Sequence, residues 1–439
     1  MELKKIMQDA GMVGAGGAGF PSYAKLSEEA NTLLINGAEC EPLLYTDYIL
    51  LRDELPTVIA GILAVKLELN LKEAILCVKH HTAERLELSE GFLPEGGVRV
   101  KILPDVYPIG DEVSLSYQAT GRLIQPGKLP ITEGIIVYNV ETMYNLGNMI
   151  LSGAPVTEKW LTVGGNIDNP TVIKVPVGAK ISDIFERLGV TVPDGHIVID
   201  GGPSMGKIIN YRTATVTKTT KGILIIPKNV RAAEAKFINE AAAVARAETA
   251  CCQCTRCTDL CPRHLLGFPL EPHKMVRTAM GAAKVTPELV KTATLCCGCG
   301  ICESLACSQG ISPKAVINNY KALLAQNKMR FTAERTYTPA PEREYRMIPS
   351  VKWAQDLGIA RFDKVCDYSG KLLDFGRVEI ALNKQIGAPS VPAVSTGDRV
   401  SAGQIIATAA NGLSVPQHAS VSGRATVLAD RIIIERVNE

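Results

Sequence analysis

The chain has 439 residues, of which 46% are hydrophobic and 21% charged, so we expect several globular domains rather than one. Its net charge of +2 and its 5% aromatic content argue against nucleic-acid binding, which needs a basic patch or a stacking surface. No apolar stretch reaches the ~20 residues needed to span a bilayer, and the N-terminus lacks the apolar core of a secretory signal. We therefore expect a reducing, cytoplasmic location.

A glycine-rich stretch follows a first short helix, which we predict over residues 3–10. Five of the nine residues from Gly11 to Gly19 are glycine, which lets the backbone approach a ligand closely and turn its N–H groups towards an anion. The stretch is not the dinucleotide fingerprint, because no strand precedes it, and not a P-loop, because no Gly-Lys-Ser/Thr follows. An ordinary turn remains the alternative interpretation.

Three polar motifs follow along the chain, each at the end of a predicted strand or the start of a predicted helix. They are Asn36 to Pro42 after a β-like run at 32–35, Tyr107 to Glu112 before a helix, and Asn139 to Thr142 after a strand at 134–138. A helix at 46–69 and buried strands at 73–78 and 98–103 complete an α/β alternation that predicts an open, mostly parallel sheet. Polar groups past the carboxyl ends of such strands are well placed for a ligand. A single polar motif at a strand end is also common in proteins that bind no ligand there. The recurrence of three such motifs favours one shared ligand site.

The middle of the chain changes character twice. Strands at 160–165, 196–200 and 222–226 around a helix at 181–188 predict a small α+β domain. No site chemistry stands out in it, so a structural spacer is the favoured interpretation. The alanine-rich stretch 231–248 then predicts a helix.

Two cysteine runs follow this helix. The first has the spacing C-x2-C-x2-C-x3-C-P of bacterial ferredoxins. The second begins with the same C-x2-C-x2-C spacing, but four residues separate its third cysteine from its fourth. In two-cluster ferredoxins the fourth cysteine of each run binds the other cluster. We therefore predict two [4Fe–4S] clusters, the first bound by Cys251, Cys254, Cys257 and Cys307, and the second by Cys261, Cys296, Cys299 and Cys302.

Zinc and disulfides are the alternatives for these cysteines. Two C-x2-C pairs suffice for a zinc site, so a third cysteine in step is surplus, and disulfides need an oxidising compartment. Cys252 and Cys297 each come directly after the first cysteine of a run and do not fit its spacing. We expect both to be free thiols near the clusters. His264 and His273 are expected to be surface residues or hydrogen-bond donors, because the cysteine count is complete.

Helices are predicted at 286–292 and 313–326 around the second run. Residues 329–384, with several prolines and charges, are expected to be a linker region. Short strands with glycine turns over 385–439 then predict a compact β module.

The ordered motifs GAGGAGFPSYAKL, NGAECEP, YPIGDE and NVET resemble the flavin-binding domain of the NADH-oxidising subunit of complex I, and more closely the RnfC-type electron-transport proteins. Together with the two cysteine runs they resemble the cobalamin reductases of propanediol-utilisation microcompartments. In those proteins a Gly-Ile-Ser-Pro stretch follows the second run, as Gly310 to Pro313 do here. The chain departs from complex I at Ala15, where complex I has an arginine, and at Ala38, where it has an acid.

The resemblance implies a multidomain α/β protein. Its parts are an FMN- and NADH-binding domain (1–155), a β-grasp (SLBB) domain (156–228), a two-cluster ferredoxin-like helical domain (229–328) and a barrel-sandwich hybrid domain (385–439). It implies that Phe20 and Glu41 face NADH and that nine residues contact FMN, namely Gly14, Gly16, Gly17, Lys25, Asn36, Glu39, Gly110, Asp111 and Asn139. The tip around Asn411-Gly412 lacks the lysine of lipoyl or biotinyl carriers, so we reject a carrier role.

The function implied is NADH oxidation, with electrons passing through FMN and two [4Fe–4S] clusters to cobalamin, free or bound by a partner enzyme. Location inside a microcompartment, with shell proteins as partners, is implied in the same way. No protein nucleophile or general base is expected. The alternatives are an RnfC-type subunit of a membrane-associated complex and a non-enzymatic iron–sulfur conduit.

Overall fold

The first part of the chain forms a mostly parallel five-stranded sheet flanked by helices. We describe it from a computed structural model, which covers residues 2–93 and 97–437. The strand order is β3-β4-β2-β1-β6, and only β3 is antiparallel. The strands are β1 (Thr32–Gly37), β2 (Glu73–Lys79), β3 (Gly91–Phe92), β4 (Arg99–Leu103) and β6 (Ile135–Asn139), and a short β5 (Val106–Tyr107) lies outside this sheet.

The helices of this domain are α1 (Glu2–Asp9), α2 (Thr46–Asp53), α3 (Leu55–Glu68), α4 (His80–Arg85), α5 (Glu112–Thr120) and α6 (Val140–Ser152). The single helix predicted over 46–69 is therefore two helices, which break at Glu54. Pro56 explains the break, because it occupies the first turn of α3, where its missing N–H costs nothing. Helices α3 and α6 pack so closely that a Cβ on Gly147 would lie 1.9 Å from the carbonyl oxygen of Thr57.

The second module is a six-stranded sheet with one helix, α7 (Ile181–Leu188). Its strands are β7 (Glu158–Gly165), β8 (Thr171–Pro176), β9 (His196–Asp200), β10 (Lys207–Ile209), β11 (Gly222–Pro227) and β13 (Asp367–Leu372). They run in the order β10-β9-β11-β7-β8-β13, so β10 is an edge strand. Strand β13 comes from the interval that the prolines led us to regard as a linker.

The cysteine runs lie in a helical region. Its helices are α8 (Arg231–Glu234), α9 (Glu240–Ala250), α10 (Arg256–Asp259), α11 (Pro262–Leu265), α12 (Pro272–Ala279), α13 (Pro287–Lys291) and α14 (Pro313–Gln326). The helix predicted over 231–248 is interrupted between α8 and α9 by a 3₁₀ turn, Ala235–Phe237. A π-helical turn, Cys302–Ala306, joins the last two cysteines of the second run.

The interval 329–384 contains ordered elements as well as its prolines. They include α15 (Arg343–Arg346), β12 (Ile348–Pro349), α16 (Ser350–Asp356) and the first C-terminal strand, β14 (Arg377–Ala381). Strand β12 pairs with β5 of the first domain, and Trp353 of α16 is fully buried. This interval therefore packs against the first two modules.

The C-terminal module is built from two small sheets, β14-β20-β19-β16 and β15-β17-β18. Its remaining strands are β15 (Val391–Pro392), β16 (Arg399–Val400), β17 (Ile405–Thr408), β18 (Gln417–His418), β19 (Gly423–Val427) and β20 (Arg431–Glu435). Ile380 and Ile432 of this module belong to the same hydrophobic core as Leu161 and Ile225 of the second module. The two modules therefore support each other. No helix in the described residues is long and apolar enough to cross a bilayer.

Candidate flavin and iron–sulfur sites

The glycine-rich stretch is a closed loop with an exposed tip. The amide of Gly14 donates to the carbonyl of Phe20 at 2.8 Å, and that of Gly19 to the carbonyl of Gly14 at 3.2 Å. Gly17 has φ +105° and is exposed, and a Cβ there would meet no protein atom within 4 Å. The loop thus leaves open space at its tip, bounded on one side by Asn139, whose Cβ lies 3.5 Å from a Cβ built on Gly16.

Neighbouring elements hold the base of this loop. The Nζ of Lys218 donates to the carbonyls of Gly11 and Pro416, at 2.8 Å and 3.1 Å. The amide of Ile386 donates to the carbonyl of Gly19 at 2.9 Å. The second and C-terminal modules therefore fix both ends of the loop and leave its tip free.

The other polar motifs meet beside the loop, at the carboxyl ends of β1 and β6. Asn36 and Asn139 are partners in the register of these parallel strands, and the side-chain amide of Asn139 donates to the Asn36 carbonyl at 3.3 Å. The side-chain amide of Asn36 donates to the Gly110 carbonyl at 2.9 Å. A Cβ on Gly110 would lie 2.5 Å from the Ala38 carbonyl oxygen, so only glycine fits there.

The start of α5 carries the next two predicted residues. Asp111 is the N-cap of this helix and accepts the amide of Ser114 at 3.3 Å. Lys25 donates to Glu112 Oε1 at 2.9 Å and to the Val137 carbonyl at 3.0 Å. Both side chains therefore lie near the end of β6, although each already has a protein partner.

Glu39 lies in a buried cluster of charges. Lys221 contacts Asp47, Lys159 contacts Glu141, and Glu39 lies 4.0 Å from the Lys221 ammonium. Burial, followed by the charge of Asp47, raises the pKa of Glu39 to about 8. Glu39 Oε1 has no hydrogen-bond partner among the described residues, so this carboxyl group keeps one polar atom free for a ligand.

The two predicted NADH residues differ in their surroundings. Glu41 is tied to the second module, since its carboxylate accepts the amides of Ser204 at 2.8 Å and Met205 at 2.9 Å. Burial raises the pKa of Glu41 despite these bonds. Phe20 is only partly buried and closes the glycine loop through its carbonyl. Both residues are partly buried, but the carboxylate of Glu41 is already held by two amides.

The eight in-step cysteines line two separate cavities. Each cavity contains one of the two sets predicted from the spacing: Cys251, Cys254, Cys257 and Cys307 line one, and Cys261, Cys296, Cys299 and Cys302 the other. No group of three His, Cys, Asp or Glu side chains in the described part of the chain is placed to hold a single metal ion. Four thiolates around a cavity suit a cluster better than the compact shell of zinc.

The second set lies next to the flavin-side motifs. The Tyr107 hydroxyl donates to the Cys299 carbonyl at 2.7 Å. The same ring stacks on Trp353 with centroids 4.7 Å apart. Arg263, which lines the cavity of the second set, donates to Asp111 at 2.7 Å.

The first set is more open to solvent than the second, because Cys254 is exposed whereas Cys261, Cys299 and Cys302 are buried. His273 lines its cavity and bonds the Thr258 hydroxyl at 2.8 Å.

Sequence reasoning missed several of these residues, namely Asp47, Tyr107 as a contact of the second set, Lys159, Lys221, Arg263 and Trp353. They come from separate segments, and no local pattern distinguishes a buried lysine from an exposed one. Glu141, inside the NVET motif, and Tyr107, the first residue of YPIGDE, were part of motifs that the sequence did indicate.

Family models match three parts of the chain. The Nuo51 FMN-binding domain matches residues 7–148, a 4Fe-4S dicluster domain matches 250–312, and the RnfC barrel-sandwich hybrid domain matches 372–437. The chain is also 35% identical over 434 residues to "Cobalamin reductase PduS" of Salmonella typhimurium strain LT2, covering 98% of this chain and 96% of that protein. The chain belongs to the family of PduS cobalamin reductases.

Other relatives agree with this assignment. PduS of Citrobacter freundii is 35% identical over 98% of this chain and 95% of its own length. A component of the Na⁺-translocating ferredoxin:NAD⁺ oxidoreductase complex of Acetobacterium woodii is 30% identical, but over only 60% of this chain and 58% of its own length. The predicted resemblance, the FMN-binding domain, the 4Fe–4S dicluster domain and the C-terminal barrel-sandwich module are confirmed. The barrel-sandwich match begins at residue 372, earlier than the predicted start at 385.

The residues present fit the cofactors of a PduS-type protein. A ligand at the glycine-loop tip would meet open space beside Gly17 and the side chain of Asn139 at the end of β6. Each four-cysteine cavity offers the number of thiolates that a [4Fe–4S] cluster requires.

Proposed function

We propose that this protein oxidises NADH and delivers the electrons to a corrinoid, cobalamin. The single observation that carries this proposal is similarity to PduS along nearly the whole chain. The two cysteine cavities, of which the second lies next to the flavin-side motifs, support it. FMN accepts a hydride and can release its electrons singly, and a [4Fe–4S] cluster carries one electron at a time. The protein's own part is to hold, orient and shield these groups.

We infer that FMN lies between the glycine-loop tip and the ends of β1 and β6. The residues that would hold it are Gly14, Gly16, Gly17, Lys25, Asn36, Glu39, Gly110, Asp111 and Asn139. The exposed tip with no protein atom beside Gly17 supports this position. So do the hydrogen bonds that join Asn36, Gly110 and Asn139.

For the nicotinamide nucleotide we propose Phe20 and Glu41 as contacts. The aromatic ring of Phe20 suits stacking. Glu41 is held by two amides of the second module, so a direct contact with the nucleotide would require Glu41 to leave them. This makes Phe20 the better-supported of the two.

We propose the two cysteine sets as the cluster ligands, with the fourth cysteines exchanged between the runs. Two features support a spatial order in which the second set lies nearer to the flavin side than the first set does. Tyr107 and Arg263 connect the second set to the flavin-side motifs, and the first set is open to solvent. The second set therefore has the shorter protein connection to the flavin side.

The remaining assignments are also proposals. We propose a β-grasp (SLBB) fold for residues 156–228, on the support of a sheet packed around one helix. The domain limits 1–155, 156–228, 229–328 and 385–439 are kept as working limits, although β13 and the shared core cross them. Location inside a microcompartment with shell proteins as partners is proposed from the family.

An anaerobic NADH titration followed by visible spectroscopy tests the proposed function. Flavin takes two electrons and each cluster one, so about two NADH per chain should bleach both chromophores fully. Bound flavin that NADH does not reduce would contradict the proposal. Cluster reduction by dithionite alone, with no flavin present, would indicate a conduit instead of an NADH oxidoreductase.

A further inference from the structure

An open cleft separates the second module from the cluster region. Its volume is about 380 Å³, at the lower end of the roughly 300–1,000 Å³ range of small-molecule sites. One wall is the loop 203–208, which leads into β10. The opposite wall consists of residues 300–304 and the start of α14. Neither the glycine loop nor the ends of β1 and β6 line it, so it is distinct from the proposed flavin site.

The cleft adjoins the cavity of the second cysteine set and the segment that leads to the first set. Gly300 lines it and lies in the chain between Cys299 and Cys302 of the second set. The π-helical turn Cys302–Ala306 supplies Glu303 and Ser304 to the wall and leads directly to Cys307 of the first set. Lys314 lines both the cleft and the cavity of the second set. A molecule in the cleft would therefore lie against the segment that joins the two sets.

The floor of the cleft is polar and rigid. Lys236 donates to the Gly206 carbonyl at 2.6 Å, and Lys314 donates to Glu303 at 2.9 Å and to the Ser204 carbonyl at 3.2 Å. These lysines brace the cleft by joining the second module to the cluster region. Since their protein partners already satisfy them, recognition of a ligand falls to the rim.

The rim combines three kinds of contact. Met205 and Ile208 expose 52% and 39% of their surface and so offer apolar contact area at the rim. The side chain of Lys207 is exposed and donates no hydrogen bond to any described residue. Because β10 is an edge strand, its outward N–H and C=O groups have no partner strand.

We propose that this cleft binds the corrinoid acceptor, with the apolar face of the ring against Met205 and Ile208 and its phosphodiester at Lys207. A corrinoid is a large ring with apolar faces, a periphery of primary amides and one phosphate. The exposed apolar side chains match the faces of the ring, and the free edge of β10 matches its amides. The side chain of Lys207 matches its phosphate. The inference rests on the proposed function, since it names the site of that acceptor.

Equilibrium dialysis of the anaerobic holoprotein against cyanocobalamin tests the proposal. Both axial positions of this cobalt are already occupied, so binding reports on the ring and its phosphate. We expect Ile208→Glu and Lys207→Glu each to weaken binding about tenfold or more, because each places a carboxylate where a favourable contact was. The matched controls are Leu129→Glu and Lys228→Glu, exposed residues outside the cleft, which should bind as the wild type does.

A second measurement separates this proposal from the proposed function. NADH oxidation with ferricyanide should be unchanged in both rim variants, whereas the KM for hydroxocobalamin should rise. Wild-type binding or KM values for the corrinoid in both rim variants would overturn the cleft site and leave the proposed function intact. A raised KM for NADH would assign the cleft to the nucleotide and also overturn it. Absence of NADH-driven cobalamin reduction in the wild type would instead contradict the proposed function.

Discussion

The guanidinium of Arg263 donates a 2.7 Å hydrogen bond to the carboxylate of Asp111, and each side chain is only 13% exposed. Asp111 caps α5 among the flavin-side motifs, and Arg263 follows Cys261 by two residues in the cluster region. Arg263 also lines the cavity of the second set, and its guanidinium lies over the ring of Phe268, 5.3 Å from its centroid. The ion pair therefore fixes the flavin side against the second cysteine set.

Removal of the Arg263 charge should lower the reduction potential of the second cluster. A nearby cation stabilises the reduced cluster, which carries the extra electron, and Arg263→Met would also leave the Asp111 carboxylate unpaired. Redox titration followed by EPR should show a more negative potential for that cluster, and a smaller shift in Arg263→Lys. Arg256→Met, at an exposed arginine of the same region, serves as the control. An unchanged potential in Arg263→Met would mean that the pair has a structural role only.

Replacement of Cys307 tests the exchange of fourth ligands between the runs. Cys307→Ala should damage the cluster of Cys251, Cys254 and Cys257, because Cys307 lines their cavity. Iron analysis and EPR should show loss of one cluster signal, with the other intact. Cys252→Ala, at an exposed thiol of the same cavity, should keep both clusters. Damage confined to the cluster of Cys296, Cys299 and Cys302 would mean that each run closes on itself.

Much of the first domain was predictable because neighbouring parallel strands bring their carboxyl ends together. Asn36 and Asn139 follow from this rule, and the helix caps at Asp111 and Asn139 follow from residue type. The fixed spacing of the cysteines made the two sets predictable in the same way. The contacts of Arg263 with Asp111 and of Trp353 with Tyr107 were not predictable, because they join distant segments. The prolines around Trp353 predicted a linker, whereas its indole is buried.

The glycine-loop tip should not tolerate a side chain if FMN lies against it. A Cβ added at Gly17 meets no protein atom within 4 Å, so Gly17→Val creates no clash inside the protein. A loss of flavin larger than backbone strain alone explains would therefore indicate a clash with the bound flavin. We expect loss of flavin and of NADH oxidation together, with iron content and dithionite reduction of the clusters preserved.

Gly412→Val is the matched control for this variant. Gly412 also has positive φ (+88°), and a Cβ added to it would likewise meet no protein atom within 4 Å, but it lies in the C-terminal module. It should lose only about 1–2 kcal/mol of stability from backbone strain. Full flavin content in Gly17→Val would make the loop an ordinary turn.

The buried acid Glu39 should make folding stability depend on pH. Its pKa is raised from 4.5 to about 8 in the folded protein by burial and by Asp47, so between these values the folded state holds a proton that the unfolded state has lost. Stability therefore falls as pH rises through this window. The variant Glu39→Gln stays neutral, so its thermal midpoint should rise relative to wild type from about pH 5 to about pH 8.

Differential scanning fluorimetry of the cofactor-free protein measures this difference. Glu28→Gln, at an exposed carboxylate of the same domain, is the control. It should shift the thermal midpoint by the same amount at about pH 5 and at about pH 8. A difference between Glu39→Gln and wild type that does not vary with pH would place the ionisation of Glu39 outside this window.

Anaerobic turnover with NADH and hydroxocobalamin tests the central claim most directly. Two cob(III)alamin should be converted to cob(II)alamin for each NADH oxidised, since one hydride carries two electrons. This conversion should be lost in Gly17→Val. NADH-reduced flavin and clusters that leave the cob(III)alamin spectrum unchanged would contradict the account.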